Sequence, residues 1–210
     1  MFTKISFYKI GLFSLLLTLA VASLFVGSYQ FENGILKTFF QLFSSSESIS
    51  DTDSFVLFQL RLPRIVMALL IGSALAVSGT CLQGLFKNPL ASPDLIGITS
   101  GSVLFAALTI VLGAGIKSFL PEFLHYSLLS IMAFFGAMLT MIFVYRMSTS
   151  NGKTNVVILL LSGVAITALT GAATGLLTYL STEEELRNLT FWTLGSLAAE
   201  KKKKNAILAT

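Results

Sequence analysis

Few side chains in this 210-residue chain could do chemistry, and they are widely spaced. Arg61 and Arg64 flank Pro63 in the run Arg61-Leu62-Pro63-Arg64. Arginine stays charged and meets a carboxylate in a planar, two-pronged contact, so the pair suits recognition of an acidic partner. Anchoring of a helix end is the plainer use of the same residues. A polar hinge runs from Gln83 to Asp94, with Asn88, Pro89 and Pro93 inside it, and Gly97 and Gly101 follow. His125 is the single histidine, placed where an interfacial side chain fits better than a metal ligand or a base. Cys81 is alone, so no disulfide framework exists. No carboxylate sits in the middle of an apolar run, where an ion-coupled carrier would commonly hold one. No GxxxxGK[ST] phosphate loop is present. These residues point away from an enzyme and imply no cofactor or metal held by the chain itself.

The elements that must position these residues are apolar and long. Hydrophobic residues make up 54% of the chain and charged residues 11%, where a soluble domain carries roughly a quarter charged. Uncharged runs cover Ile10–Phe31, Ile65–Phe86, Leu95–Ile116, Phe123–Tyr145 and Thr154–Thr182. Each meets the roughly 20 residues that a membrane-spanning helix needs. Barrel strands would instead alternate in polarity over about ten residues. The expected fold is an all-α, polytopic transmembrane bundle of about five helices, near 10–28, 65–85, 95–116, 124–145 and 156–180. The net charge of +4 is scattered over span ends, apart from a lysine run near the C-terminus, and is no nucleic-acid signal.

Lys4 and Lys9 precede the first run and argue for a cytoplasmic N-terminus. They could also open a secretory signal, with Ala20-Val21-Ala22 as its cleavage site; the full spanning length and the four later runs favour an uncleaved helix. Five spans then put 31–60 outside, the hinge inside, 117–122 outside, 146–153 inside and 183 onward outside. Before residue 200 the basic residues divide evenly between the sides, so the first lysines carry this orientation. In the outer segment, Ile35, Leu36, Phe39, Phe40 and Phe43 share one helical face, which suits a surface helix in the bilayer interface. Residues 44–54 read as a polar loop. Pro63 is expected to push Leu62 out of α geometry, and so to fix how the chain approaches the second helix.

Small residues four apart mark seams where membrane helices approach closely. They occur at Gly72, Ala76 and Thr80, at Gly97 and Gly101, at Ala133 and Ala137 beside Gly136 and Thr140, and at Gly163, Thr167, Gly171 and Gly175. Tight packing is the plainer meaning of such stripes, and the lining of a polar pathway the sharper one.

Taken together, the hinge and the order of spans resemble the FecCD-type permease family, the membrane subunits of bacterial ABC importers for ferric siderophores, haem and cobalamin. The residues that carry this are Arg61-Leu62-Pro63-Arg64, Gly72-Ser73-Ala74-Leu75-Ala76, Ser78-Gly79 and Gln83, then Asn88-Pro89-Leu90-Ala91-x-Pro93 leading to Leu95-Ile96-Gly97 and Gly101. Leu159-Leu160-Leu161-Ser162-Gly163-Val164-Ala165 and Phe191-Trp192-x-Leu194-Gly195-Ser196 continue it, to about residue 197. The resemblance implies the first half of a ten-helix permease. It implies a second permease subunit, two cytoplasmic ATPase subunits that hydrolyse ATP, and an extracytoplasmic binding protein delivering the chelate. It places binding-protein docking on Arg61 and Arg64, and a pathway hinge on Gln83, Asn88, Pro89, Pro93, Gly97 and Gly101. A cytoplasmic gate falls near Asn155, Val156 and Val157, and the location is the cell membrane. Beyond residue 197, Glu200-Lys201-Lys202-Lys203-Lys204 departs from the pattern, and four lysines cannot enter a bilayer at roughly 2.5–3.5 kcal/mol each. The expectation is a basic tail over 198–210 from a frameshifted, split or misread gene. The alternative is a stand-alone five-helix membrane protein serving as an assembly or scaffold subunit.

Overall fold

A computed structural model describes residues 2–27, 29, 31, 51–89, 91–117, 121, 124 and 127–197. The amphipathic segment around Phe39, His125 and the tail 198–210 lie outside the described residues. The described chain is almost entirely helical. Helix α1 is Phe2–Phe25 and α2 is Asp51–Phe55, which continues through a π-helical stretch, Val56–Arg61, into α3, Leu62–Phe86. A 3-10 turn, Pro93–Ile96, leads to α4, Ile98–Lys117, and then α5, Leu128–Ser148. A two-stranded hairpin, β1 (Thr149–Ser150) and β2 (Lys153–Thr154), precedes α6, Val156–Leu180, and α7, Glu183–Leu194. Among the described residues four stretches are long and apolar enough to cross a membrane: Phe7–Phe25, Thr52–Phe86, Leu128–Ser148 and Val156–Leu180. A shorter apolar helix covers Ile98–Gly113.

The packing divides into two units, Met1–Ala74 with Leu197–Thr210, and Leu75–Ser196. In the first, Phe31, Val56 and Leu57 are buried together, with Leu24 and Tyr29 packed against them. In the second, Ile96, Val144 and Leu159 form the centre, with Leu82, Phe86, Ile98 and Ile166 around it. Most large apolar side chains of the spans are exposed, as lipid-facing helices require. Association in lipid gains little from hiding such side chains and depends on close packing.

Pro63 does not break its helix. Leu62 is right-handed α (φ −60, ψ −45), against the expectation that the proline would force it out. The turn before it is wider than an α turn. The Leu62 N–H donates to the Leu57 carbonyl, five residues back. This wider π register loosens the turn that a proline ring would otherwise strike. Arg61 and Arg64 thus stand on a continuous helical segment. The acidic lead-in is helical too: Asp53 belongs to α2 and is only 1% exposed, which corrects the reading of residues 51–54 as polar loop.

Local signals end and start the other helices. At the end of α3, Lys87 takes a left-handed conformation (φ 49). The Lys87 N–H donates to the Gly84 carbonyl and the Asn88 N–H to the Gln83 carbonyl. This paired pattern closes a helix C-terminus, and a following proline prevents its continuation. The hairpin between α5 and α6 turns at Asn151 (φ 51) and Gly152 (φ 74), an Asn-Gly pair suited to a two-residue turn. The strands pair Thr149 with Thr154 and Ser150 with Lys153. At α7, Thr182 and Glu185 cap each other's backbone amides, and Glu183, Glu184 and Glu185 place negative charge at the positive end of the helix dipole.

Candidate functional site

Two groups of residues hold the features singled out above. The first surrounds the arginines. The Arg61 guanidinium donates from Nη1 to the Leu24 carbonyl at 2.5 Å and from Nη2 to the Tyr29 carbonyl at 3.0 Å. Leu24 lies in the last turn of α1, whose carbonyls have no helical partner and carry partial negative charge. The same guanidinium stands over the Phe31 ring, 4.8 Å from its centroid, a cation–π contact. Phe31 meets Tyr29 edge-on at 5.3 Å. The Tyr29 hydroxyl donates to Asp53 Oδ1 at 2.7 Å. Arg64 is exposed, and both arginines line a cavity of about 930 Å³ whose apolar wall includes Leu16, Leu19, Ile65 and Leu69.

The second group is the seam between α4, α5, α6 and the 3-10 turn. Pro93 starts that turn, and Gly97 ends it in the left-handed region (φ 78), with its N–H on the Asp94 carbonyl at 3.0 Å. The Thr99 hydroxyl donates to the Asp94 carboxylate. A Cβ on Gly97 would stand 3.2 Å from Thr167 Oγ1 and 3.3 Å from the Gly163 carbonyl. A Cβ on Gly101 would overlap Thr140 and the Gly136 carbonyl; one on Gly136 would overlap the Gly101 carbonyl and Phe105. On Gly163 it would collide with the Leu95 carbonyl. These glycines are points where backbones meet, and a position that cannot hold a methyl group cannot hold a ligand atom.

The hinge residues are not gathered around one point. Gln83, Asn88 and Pro89 are exposed, Pro93 is half-buried, and Gly97 and Gly101 are buried in the seam. Asn155 caps α6: its side-chain oxygen accepts from the Val157 and Ile158 amides at 3.0 and 3.2 Å. Val156 is half-buried and Val157 exposed. Among the described residues no three His, Cys, Asp or Glu side chains come close enough to share a metal ion. Sequence reasoning missed Leu24 and Tyr29 as partners of Arg61, and Asp53 as the partner of Tyr29, because these contacts are made across 24 to 37 residues.

The family model of the FecCD transport family matches residues 15–210. The chain belongs to the FecCD transport family. The match continues to the last residue, past the point near Leu197 where the motifs end. Among FecCD relatives, the hemin transport system permease protein HmuU of Yersinia pestis is 42% identical over 150 residues, 71% of this chain and 43% of that one. The molybdate import system permease protein MolB of Haemophilus influenzae is 36% identical over 189 residues, 90% of this chain and 53% of that one. A solved structure of a metal-chelate type ABC transporter in an inward-facing conformation superposes with a TM-score of 0.68 at 34% identity, over 90% of this chain and 53% of that one. The chain thus spans about half the length of these FecCD relatives.

Proposed function

We propose that this chain is the N-terminal half of the membrane permease subunit of an ABC importer that brings an iron chelate into the cytoplasm. A ferric siderophore is the preferred cargo, ahead of haem and cobalamin. The observation that carries the reading is the agreement in fold and sequence over nine-tenths of the chain with a metal-chelate type transporter. The identity to a hemin permease supports an iron-containing cargo, and the similarity to a molybdate permease marks the range the fold serves. In this reading the chain works with a second permease subunit, two cytoplasmic ATPase subunits that hydrolyse ATP, and an extracytoplasmic binding protein. It lies in the cell membrane with its N-terminus in the cytoplasm, as Lys4 and Lys9 ahead of the first span favour.

The arginine end of α3 is the docking face for carboxylates of the binding protein. The hinge from Gln83 through Pro89 and Pro93 to Gly97 and Gly101 sets the approach of α4 to the bundle. Asn155, Val156 and Val157 open α6 at the cytoplasmic gate, with the Asn155 cap fixing where that helix begins. Uptake of radiolabelled ferric siderophore, haem and molybdate, compared between parent cells and cells deleted for this gene, tests the proposal. Loss of siderophore uptake is expected. Loss of haem or molybdate uptake alone would reassign the cargo, and unchanged uptake of all three would overturn the reading.

A further inference from the structure

Arg61 and Arg64 stand three residues apart on one helical segment and line one cavity, yet their surroundings differ. Both terminal nitrogens of Arg61 are already donating, to carbonyls on either side of Gly27. The Arg61 Cζ stands over the Phe31 ring, 4.8 Å from the centroid. A Cβ on Gly27 would lie 2.6 Å from Nη2, so the chain passes the guanidinium with no room to spare. The Tyr29 carbonyl is itself held in place, because the Tyr29 hydroxyl donates to Asp53, buried eight residues before Arg61 on the same helical segment. The contacts form a closed circuit: end of α1, Tyr29, Asp53, π-helical stretch, Arg61, and back to α1.

We propose that Arg61 is a positioning residue, a clamp that ties the C-terminal end of α1 to the π-helical stretch, and that the contact with a partner carboxylate falls to Arg64, whose place the clamp fixes. A two-pronged carboxylate contact takes two parallel N–H groups of one guanidinium edge. The exposed Arg64 can offer that edge, and Arg61 has turned its terminal nitrogens inward. Lysine would be a poor replacement for Arg61, since a single ammonium nitrogen lacks the two separate terminal nitrogens that reach the two carbonyls. The share given to Arg64 rests on the docking reading above, whereas the clamp rests on the contacts of this chain alone.

Labelling with phenylglyoxal, which modifies arginine, followed by mass spectrometry of the full chain in membrane vesicles, tests the clamp directly. Arg64 should label about ten times faster than Arg61, the factor expected when a charged hydrogen bond must first open. Gly27→Ala, which displaces the guanidinium, and Tyr29→Phe, which removes only the anchor on Asp53, should both speed labelling at Arg61 and leave Arg64 unchanged. Equal labelling of the two arginines in the parent chain would overturn the proposal. Thermal melts give a second arm. Arg61→Ala, Arg61→Lys and Gly27→Ala should each lower Tm by on the order of 5 °C. The Gly27→Ala, Arg61→Ala double variant should fall no further than the worse single variant, and additive losses would count against a shared contact. Arg64→Ala should leave Tm in place while abolishing salt-sensitive docking of the binding protein. Docking unaffected by Arg64→Ala would sink the docking role and leave the clamp to be judged by the labelling.

Discussion

Glycines in the seam of α4, α5 and α6 sit where backbones touch, whereas those of α3 touch nothing. Gly101, Gly136 and Gly163 each face a carbonyl of a neighbouring element so closely that a Cβ would overlap it. Gly72, Gly79 and Gly84 have open space around them, and no residue of Leu62–Phe86 is buried. Gly171 and Gly175, farther along α6, are open as well. The stripes look alike in sequence. The difference shows that small residues record permission for close approach, and that a contact follows only where a second element supplies an equally small surface. Gly101 meets Gly136 and Thr140; Gly163 meets the backbone of Leu95 and Ile96.

The largest expected effect lies on a single helix that carries both kinds of glycine. Gly163→Val should destabilise the chain by about 3 kcal/mol or more, because its Cβ strikes a backbone carbonyl that no rotamer change can move. Gly171→Val, two turns along, should change stability by less than about 1 kcal/mol in either direction, since valine, though β-branched, is no worse a helix former than glycine and the site is open. Thermal melts and size-exclusion profiles in detergent compare the two. Equal tolerance would dissolve the distinction between seam and open face.

Gly97→Ala should come next. Its left-handed backbone costs an alanine about 1–2 kcal/mol, and the added methyl would press on Thr167 and the Gly163 carbonyl. Gly97→Asn should recover part of that loss, since asparagine tolerates this conformation better, although its longer side chain has to clear Thr167. A melt showing alanine and asparagine equally harmful would assign the cost to crowding rather than to the backbone.

The spans were legible because length and absence of charge are properties of a segment by itself, and the helices that hold Ile65–Phe86 and Thr154–Thr182 depend on little else. The asparagine ahead of an apolar run at Asn155 and the Asn151-Gly152 pair were legible in principle, since caps and tight turns are decided within four residues. The clamp on Arg61 was not. It needs Leu24 and Tyr29, 37 and 32 residues away, and nothing in the local pattern of either segment encodes that meeting. Asp53 was misread for the same reason: an acid among serines looks solvated until Tyr29 reaches it. Pro63 was misjudged because the rule for the residue ahead of proline states a local preference, not a prohibition, and Leu62 keeps α geometry within a helical segment whose preceding turn is π.

A smaller effect separates local from tertiary control at the start of α6. Asn155→Ala should cost about 1 kcal/mol by leaving the Val157 and Ile158 amides uncapped. Asn155→Asp and Asn155→Ser should restore most of it, because each keeps an acceptor at that distance from the helix. Hydrogen exchange over 156–159 is the measurement. Exchange that rises across the hairpin as well would show that the Asn155 N–H bond to the Ser148 carbonyl fails with the cap.

The smallest effect has the opposite sign. Gly72 lies within α3 with nothing near the place a Cβ would occupy, so Gly72→Ala should raise stability by roughly 0.5–1 kcal/mol through the reduced backbone freedom of alanine. Gly79→Ala should do the same, and the two gains should add, since the residues are two turns apart and share no partner among the described residues. Gly136→Ala, by contrast, adds the same methyl to a glycine pressed against Gly101 and Phe105 and should lower stability. The sign of one added carbon therefore reads whether a glycine is a contact or an opening. If alanine at Gly72 destabilised the 210-residue chain as it should at Gly136, α3 would have to be packed in solution against a surface absent from this fold, and the contrast between the two faces would fail.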